Sequence, residues 1–75
     1  MKQSTKAVPI GYLAQEFGSV SLPLEALRSA AGWYLGTRDS DGAPYSRESV
    51  EYWKSRDQAE AALSSSLSWT QRRHP

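Results

Sequence analysis

The sequence predicts a small α+β domain, in which a two- or three-stranded antiparallel sheet packs against one C-terminal helix and a short N-terminal helix lies alongside. Two observations favour this fold class. The stretch from Gly32 to Trp53 has the pattern of two strands joined by a turn. The stretch that follows, Ser55 to Leu63, has the composition and the start signal of a helix. A chain of 75 residues allows one domain with a thin core.

The predicted domain occupies residues 10–71. Residues 1–9 are polar, lack hydrophobic periodicity and end at Pro9, so we expect a flexible N-terminal segment there. Residues 72–75 are expected to form a polar tail. At the start of the domain, the segment from Ile10 to Phe17 carries apolar side chains at helical spacing, which predicts one or two helical turns.

A further helix is predicted from Leu22 to Ala31. Pro23 suits the first turn of a helix, where an amide proton is not needed, and Leu24 and Leu27 repeat on one face. Gly32 is placed to end this helix in a left-handed conformation. Because so short a helix is marginal alone, its apolar face is expected to dock on the sheet.

The central hairpin is predicted from strand-forming residues on either side of a turn. The first strand is Trp33–Arg38, the turn is Asp39–Gly42, and the second strand is Glu48–Trp53. Side chains alternate along a strand, so large aromatic rings fall on both faces of this sheet. One face is therefore expected to hold the core, and the other face is free to carry function.

The C-terminal helix is predicted over Arg56–Ser64. Ser55 and Gln58 form a capping-box pattern, in which the serine hydroxyl satisfies one unpaired amide and the glutamine reaches back to another. The alanines of this helix give a small-residue face that suits close packing on the sheet. Beyond it, Leu67–Gln71 is expected to form a third strand or a short extended cover, anchored by Trp69.

Composition excludes several kinds of site. The chain has no cysteine, so neither a disulfide framework nor a thiolate zinc site is available. Its single histidine, His74, lies beside the C-terminus and does not support a metal site. No stretch has the apolar length of a membrane span or a secretory signal, so we expect a cytoplasmic protein with no membrane partner.

The sharpest motif match is to a calcium-binding loop. Counted from Thr37, the acidic residues Asp39, Asp41 and Glu48 fall at positions 3, 5 and 12 of the EF-hand pattern. Thr37 replaces the first acidic ligand, however, and a strand precedes the loop where an EF-hand requires a helix. A charged hairpin turn explains the two aspartates, so no metal and no cofactor are predicted.

An enzyme is not predicted. A serine nucleophile needs a positioned base and a site for the oxyanion, and the sequence offers neither. Glu48 and Glu51 would lie on opposite faces of the second strand, so they would not converge as an acid and a base. The expected protein is therefore non-enzymatic.

A binding role is the function class that the residues favour. Tyr, Trp and Arg are the side chains that carry most interface energy, and one helix cannot cover every ring of the sheet. We expect protein–protein interaction or self-association, with a homodimer as one form. The residues expected to form this surface are Tyr34, Arg38, Arg47, Glu51, Trp53 and Arg72.

Nucleic acid binding is the alternative use of the same surface. Exposed rings can stack on bases while arginines hold phosphates. Nine Lys and Arg are balanced by eight Asp and Glu, and a net charge of +1 does not by itself imply a nucleic-acid partner. Nucleic acid is therefore the second choice.

Three segments resemble short uncharacterised bacterial proteins. They are Gly32–Thr37, Pro44–Trp53 and Trp69–Arg72. The resemblance covers roughly the C-terminal half of the chain or more. This resemblance implies a small stand-alone bacterial protein and supplies no activity or functional residues. The hairpin followed by one helix is also similar to the hybrid-binding domains attached to ribonuclease H, although the chain lacks their basic, glycine-containing signature.

Overall fold

The computed structural model describes residues 9–65 and 69–75. In these residues the chain forms, in order, α1 (Tyr12–Gly18), β1 (Glu25–Ser29), β2 (Gly32–Arg38), β3 (Pro44–Arg47) and α2 (Arg56–Ser64). The strands make one antiparallel sheet in the order β1-β2-β3. Helix α2 packs on β1 and β2, and α1 contacts β3. The predicted α+β fold, with its C-terminal helix on the sheet and a short N-terminal helix, is confirmed.

Local signals located both helices that the structure contains. Helix α1 ends one residue after the helical turns predicted from Ile10 to Phe17. Helix α2 has the predicted bounds. The hydroxyl of Ser55 accepts a hydrogen bond from the backbone amide of Gln58 at 3.2 Å. The side chain of Gln58 reaches back as expected, but it accepts from the amide of Lys54 at 3.0 Å, one residue earlier than a standard capping box.

The predicted helix from Leu22 to Ala31 is wrong, because most of this segment is β1. The strand pairs with β2 in a register that sets Leu27 opposite Tyr34. Leucines three residues apart fit a helix, but pairing with a neighbouring strand overrides so weak a local preference. Gly32 does have a positive φ of 133°, yet it follows a turn and begins β2 instead of ending a helix.

The predicted strand Glu48–Trp53 is also wrong, because β3 ends at Arg47. The amides of Glu48 and Ser49 both donate to the carbonyl oxygen of Leu35, at 2.8 and 3.0 Å, and this shared acceptor breaks the regular ladder. Beyond that point, the backbone pairs with β2 at an isolated bridge between Trp33 and Trp53. The prediction that Glu48 and Glu51 lie on opposite faces of a strand therefore loses its basis.

The predicted turn Asp39–Gly42 is confirmed. The amide of Gly42 donates to the carbonyl of Asp39 at 2.9 Å, and the carboxylate of Asp39 accepts from the amides of Asp41 and Ala43. Residues 1–8 of the predicted flexible segment and part of Leu67–Gln71 lie outside the described residues. Gln71 itself forms an isolated bridge with Ser49.

The core is thin and contains polar side chains. Its buried apolar residues, among those described, are Leu13, Ala14, Leu24, Tyr34, Leu35, Ala59 and Ala62. Thr37, Glu48 and Ser49 are fully buried beside them. Within the ranges that the structure describes, neither helix has the length and apolar character of a membrane span.

Candidate binding cleft

A fully buried carboxylate, that of Glu48, joins three parts of the chain. Its Oε1 accepts from the amide of Leu13 at 2.9 Å and from the side-chain amide of Gln71 at 2.7 Å. Its Oε2 accepts from the amide of Ala14 at 3.2 Å and from the hydroxyl of Ser46 at 2.6 Å. These four donors satisfy a group that would otherwise be costly to bury. The contacts fix α1, β3 and residues 69–75, which we call the C-terminal segment, to one another.

The residue before α1 must be small for this arrangement to form. A Cβ atom at Gly11 would lie 2.5 Å from Cγ2 of Thr37 and 2.8 Å from Oε2 of Glu48. Thr37 continues the hydrogen-bonded chain, because its hydroxyl lies 2.6 Å from that of Ser46. Ser46 donates its one hydroxyl proton to Glu48, so Thr37 supplies the proton of this second bond.

An open cleft lies between α1, β3 and the C-terminal segment. Its volume is about 300 Å³, and its apolar part comes from Leu13, Phe17 and Tyr45. Phe17 is 57% exposed and Tyr45 is 46% exposed, which is high for large rings in a small protein. The full lining consists of Leu13, Phe17, Gly18, Tyr45, Ser46, Arg47, Arg72 and Pro75. We call this feature the cleft.

Two arginines line the cleft and are held in place by neutral groups. The guanidinium carbon of Arg47 lies 4.9 Å from the ring centroid of Tyr52, and the same guanidinium donates to the Tyr52 hydroxyl. Arg72 donates from Nη1 to the carbonyl oxygen of Arg47 at 3.0 Å. Neither arginine forms an ion pair in residues 9–65 and 69–75, and the rest of the sequence contains no Asp or Glu.

Tyr34 packs against Tyr52, the ring that Arg47 contacts. The two rings meet edge to face, with centroids 6.1 Å apart and planes at 71°. Burial raises the pKa of the Tyr34 phenol, Tyr52 raises it further, and the positive charge of Arg47 opposes the increase. Of the six residues predicted for the binding surface, Arg47 and Arg72 line the cleft, and Tyr34 contacts the same Tyr52 ring that Arg47 contacts.

The other three predicted residues lie away from the cleft and have partners within the chain. Arg38 pairs with Glu25 at 2.7 Å, and this hydrogen bond raises the pKa of the guanidinium. The carboxylate of Glu51 accepts from the amide of Thr70 at 2.8 and 3.1 Å. Trp53 is half-buried and exchanges backbone hydrogen bonds with β2. The six residues therefore do not form one surface.

Sequence reasoning missed the apolar part of the cleft. The helical spacing from Ile10 to Phe17 does not indicate which of its side chains stay exposed, and no strand is predicted at Tyr45. A signal for β3 was present, since Pro44 is tolerated at the first position of an edge strand and Tyr45 favours strands. No local signal identified Phe17 as exposed, because its position follows from where α1 docks on β3.

The described side chains of the cleft are mainly apolar, cationic or already hydrogen-bonded. The Ser46 hydroxyl is occupied by Glu48 and Thr37, so it is held in the wall. In the described parts of the chain, no three His, Asp or Glu side chains gather as metal ligands. The cleft thus offers two cations and an apolar surface to a ligand.

The resemblances noted in the sequence stay predictions. Compared with protein-family models, with curated proteins and with solved structures, the chain matches none of them.

Proposed function

We propose that the protein is a small non-enzymatic binding module that docks a protein partner in the cleft. The observation that carries this proposal is that two exposed rings, Phe17 and Tyr45, lie beside Arg47 and Arg72, which have no acidic partner in the described part of the chain. Aromatic and arginine side chains dominate interface energetics. Burying the rings against a partner removes apolar surface from water, which favours association.

A different protein is favoured over a second copy of the chain. A symmetric dimer brings the same surface of both copies together. If that surface were the cleft, Arg47 and Arg72 of one copy would approach the same arginines of the other, and like charges would oppose the contact. The proposal therefore predicts a monomer in solution, which size-exclusion chromatography with light scattering measures.

Nucleic acid stays the alternative partner. Base stacking needs free ring faces, but Arg28 lies 5.9 Å from the Trp33 ring centroid and Arg47 covers Tyr52. An arginine over a ring is a favourable contact that a base would have to replace. That cost applies at Trp33 and Tyr52 and not at Phe17 and Tyr45, which are exposed in the cleft, so nucleic acid is tested there directly.

Photocrosslinking in the source cells tests the proposed site. A benzophenone amino acid is placed at Phe17 or Tyr45 within the cleft, and at Val50 as a matched control, since Val50 is equally exposed at 51% but does not line the cleft. We expect a discrete crosslinked protein from the two cleft positions and none from the control. Equal crosslinking from all three positions would contradict a specific site. The cytoplasmic location is part of the proposal, and cell fractionation tests it.

A further inference from the structure

We infer that the cleft recognises an acidic segment of its protein partner, with a carboxylate bound between Arg47 and Arg72 and a neighbouring apolar side chain against Phe17 and Tyr45. This inference rests on the proposed function, because it names the partner's chemistry at the same site. It follows from the charge of the lining, from how the arginines are held, and from the apolar surface beside them.

The charge of the cleft is complementary to that of an anion. Among the described residues, its lining has two arginines and no acidic side chain. Glu48, the acidic residue that the structure connects to the lining through Ser46, is fully buried and already accepts hydrogen bonds from four neutral donors. Glu48 weakens the positive potential of the wall, but it is not accessible to pair with either arginine's outer face. An anionic group from outside therefore fits the open side of the cleft.

The two arginines are already positioned before a ligand binds. A guanidinium has five N–H donors, and the described contacts use one donor of Arg47 and one donor of Arg72. The Nε of Arg47 is buried without a hydrogen-bond partner among the described residues, so this side chain has unused bonding capacity. Ordering long side chains before a ligand arrives lowers the entropy cost of binding. Planar guanidinium groups match carboxylates by paired hydrogen bonds.

The apolar surface beside the two arginines favours a peptide as the source of the anion. Leu13, Phe17 and Tyr45 form an apolar wall directly beside the two arginines. An acidic peptide presents a carboxylate and an apolar side chain within a few ångströms of each other, so one short segment can satisfy both halves of the cleft. A volume of about 300 Å³ is suited to a few side chains and not to a folded surface.

Fluorescence anisotropy with designed peptides tests the inference. The probes are a labelled peptide of alternating Glu and Leu, and an isosteric peptide of alternating Gln and Leu, each with a free or an amidated C-terminus. We expect the acidic probe to bind about tenfold or more tightly than the neutral probe. The free and amidated forms show whether a side-chain or a terminal carboxylate is preferred.

Variants assign the binding to the two arginines. Arg47→Gln and Arg72→Gln are each expected to weaken the acidic probe by about tenfold, and Arg56→Gln is the matched control because it removes an arginine outside the cleft. Arg72→Glu gives a second, independent test. This variant should lose the acidic probe and prefer a peptide of alternating Lys and Leu, a reversal that general misfolding cannot produce.

The outcomes separate this inference from the proposed function. One outcome is that the acidic and neutral probes bind wild type with equal affinity and that Phe17→Ala weakens both. The cleft is then a peptide-binding site, but the carboxylate inference is wrong. If the cleft variants bind both probes as wild type does and Phe17 and Tyr45 give no specific crosslink, both proposals are wrong. If single-stranded RNA or DNA displaces the acidic probe at equal or lower concentration, the nucleic-acid alternative replaces the peptide.

Discussion

Glu48 and Gln71 are joined by a hydrogen bond of 2.7 Å between the carboxylate Oε1 and the side-chain amide nitrogen. The carbonyl oxygen of Glu48 accepts two more bonds, from the same side chain at 3.2 Å and from the amide of Arg72 at 2.7 Å. A buried residue of the core thereby holds a segment close to the C-terminus. Because Arg72 is part of that segment, the core contact also places one wall of the cleft.

Replacing Glu48 with Gln is expected to destabilise the fold. The substitution keeps the shape of the side chain but exchanges one acceptor oxygen for an amino group, which then faces donors such as the amides of Leu13 and Ala14. Unpaired buried polar groups are costly, so the free energy of unfolding should fall by about 2 to 4 kcal/mol. Urea unfolding followed by tryptophan fluorescence measures the change.

The matched control is Glu60→Gln. Glu60 pairs with Arg56 at 3.0 Å on the exposed face of α2, and such surface pairs contribute little. We expect a change within about 0.5 kcal/mol. Equal losses in the two variants would show that the hydrogen bonds of Glu48 have no special role in stability.

Replacing Gly11 with Ala is expected to be destabilising for steric reasons alone. Gly11 has φ of −66° and ψ of 120°, which alanine adopts without strain, but a Cβ atom there would meet Thr37 and Glu48. Overpacking of this kind costs about 1 to 3 kcal/mol. Thermal and urea unfolding of Gly11→Ala, of Thr37→Ser and of the double variant measure the coupling. Serine lacks the Cγ2 methyl group that the new Cβ would meet, so the double variant should recover part of the stability lost in Gly11→Ala. Additive losses of stability would exclude this clash as the cause.

Elements with a local signal were predictable from the sequence. The capping residue Ser55 set the start of α2, and the Asp-Ser-Asp-Gly run set the turn after β2. Strand β1 was not predictable in this way, because its turn uses Ala30 and Ala31, which are not residues typical of turns. The leucine spacing of that segment favours a helix, but pairing with β2 makes the segment a strand.

The candidate site was predictable only in part, because it depends on contacts that are distant in sequence. Arg47 and Arg72 were chosen from composition and line the same cleft, although they are 25 residues apart. The bonds from α1 to Glu48 span 35 and 34 residues, so no window of local sequence contains both partners. Burial of Glu48 follows from those contacts and could not be read from its own neighbours.

Glu51 is expected to make stability depend on pH in the acidic range. Partial burial acts to raise the pKa of its carboxyl, but hydrogen bonds from Thr70 outweigh this and hold the pKa below its usual value of 4.5. A group with a lowered folded pKa stabilises the fold above its unfolded pKa, and that contribution is lost as pH falls through the folded pKa. Urea midpoints of wild type and Glu51→Gln should therefore converge as pH falls below about 4.5. A difference that does not change with pH would contradict this role.

Tyr34 is expected to produce a corresponding dependence in the alkaline range. Burial, and then the neighbouring Tyr52, raise the pKa of its phenol above the usual 10.0, so the folded state favours the neutral form. The resulting stability is complete below about pH 10 and is lost as pH rises through the folded pKa. The chain has four tyrosines, so the readout is the difference between wild type and Tyr34→Phe in two measurements, the ultraviolet absorbance of ionised tyrosine and the urea midpoint. Removing the phenol should abolish the latest-ionising part of the absorbance change and reduce the alkaline loss of stability. Tyr45→Phe, at an exposed ring, is the control; if it removed the late phase instead, the assignment to Tyr34 would be wrong.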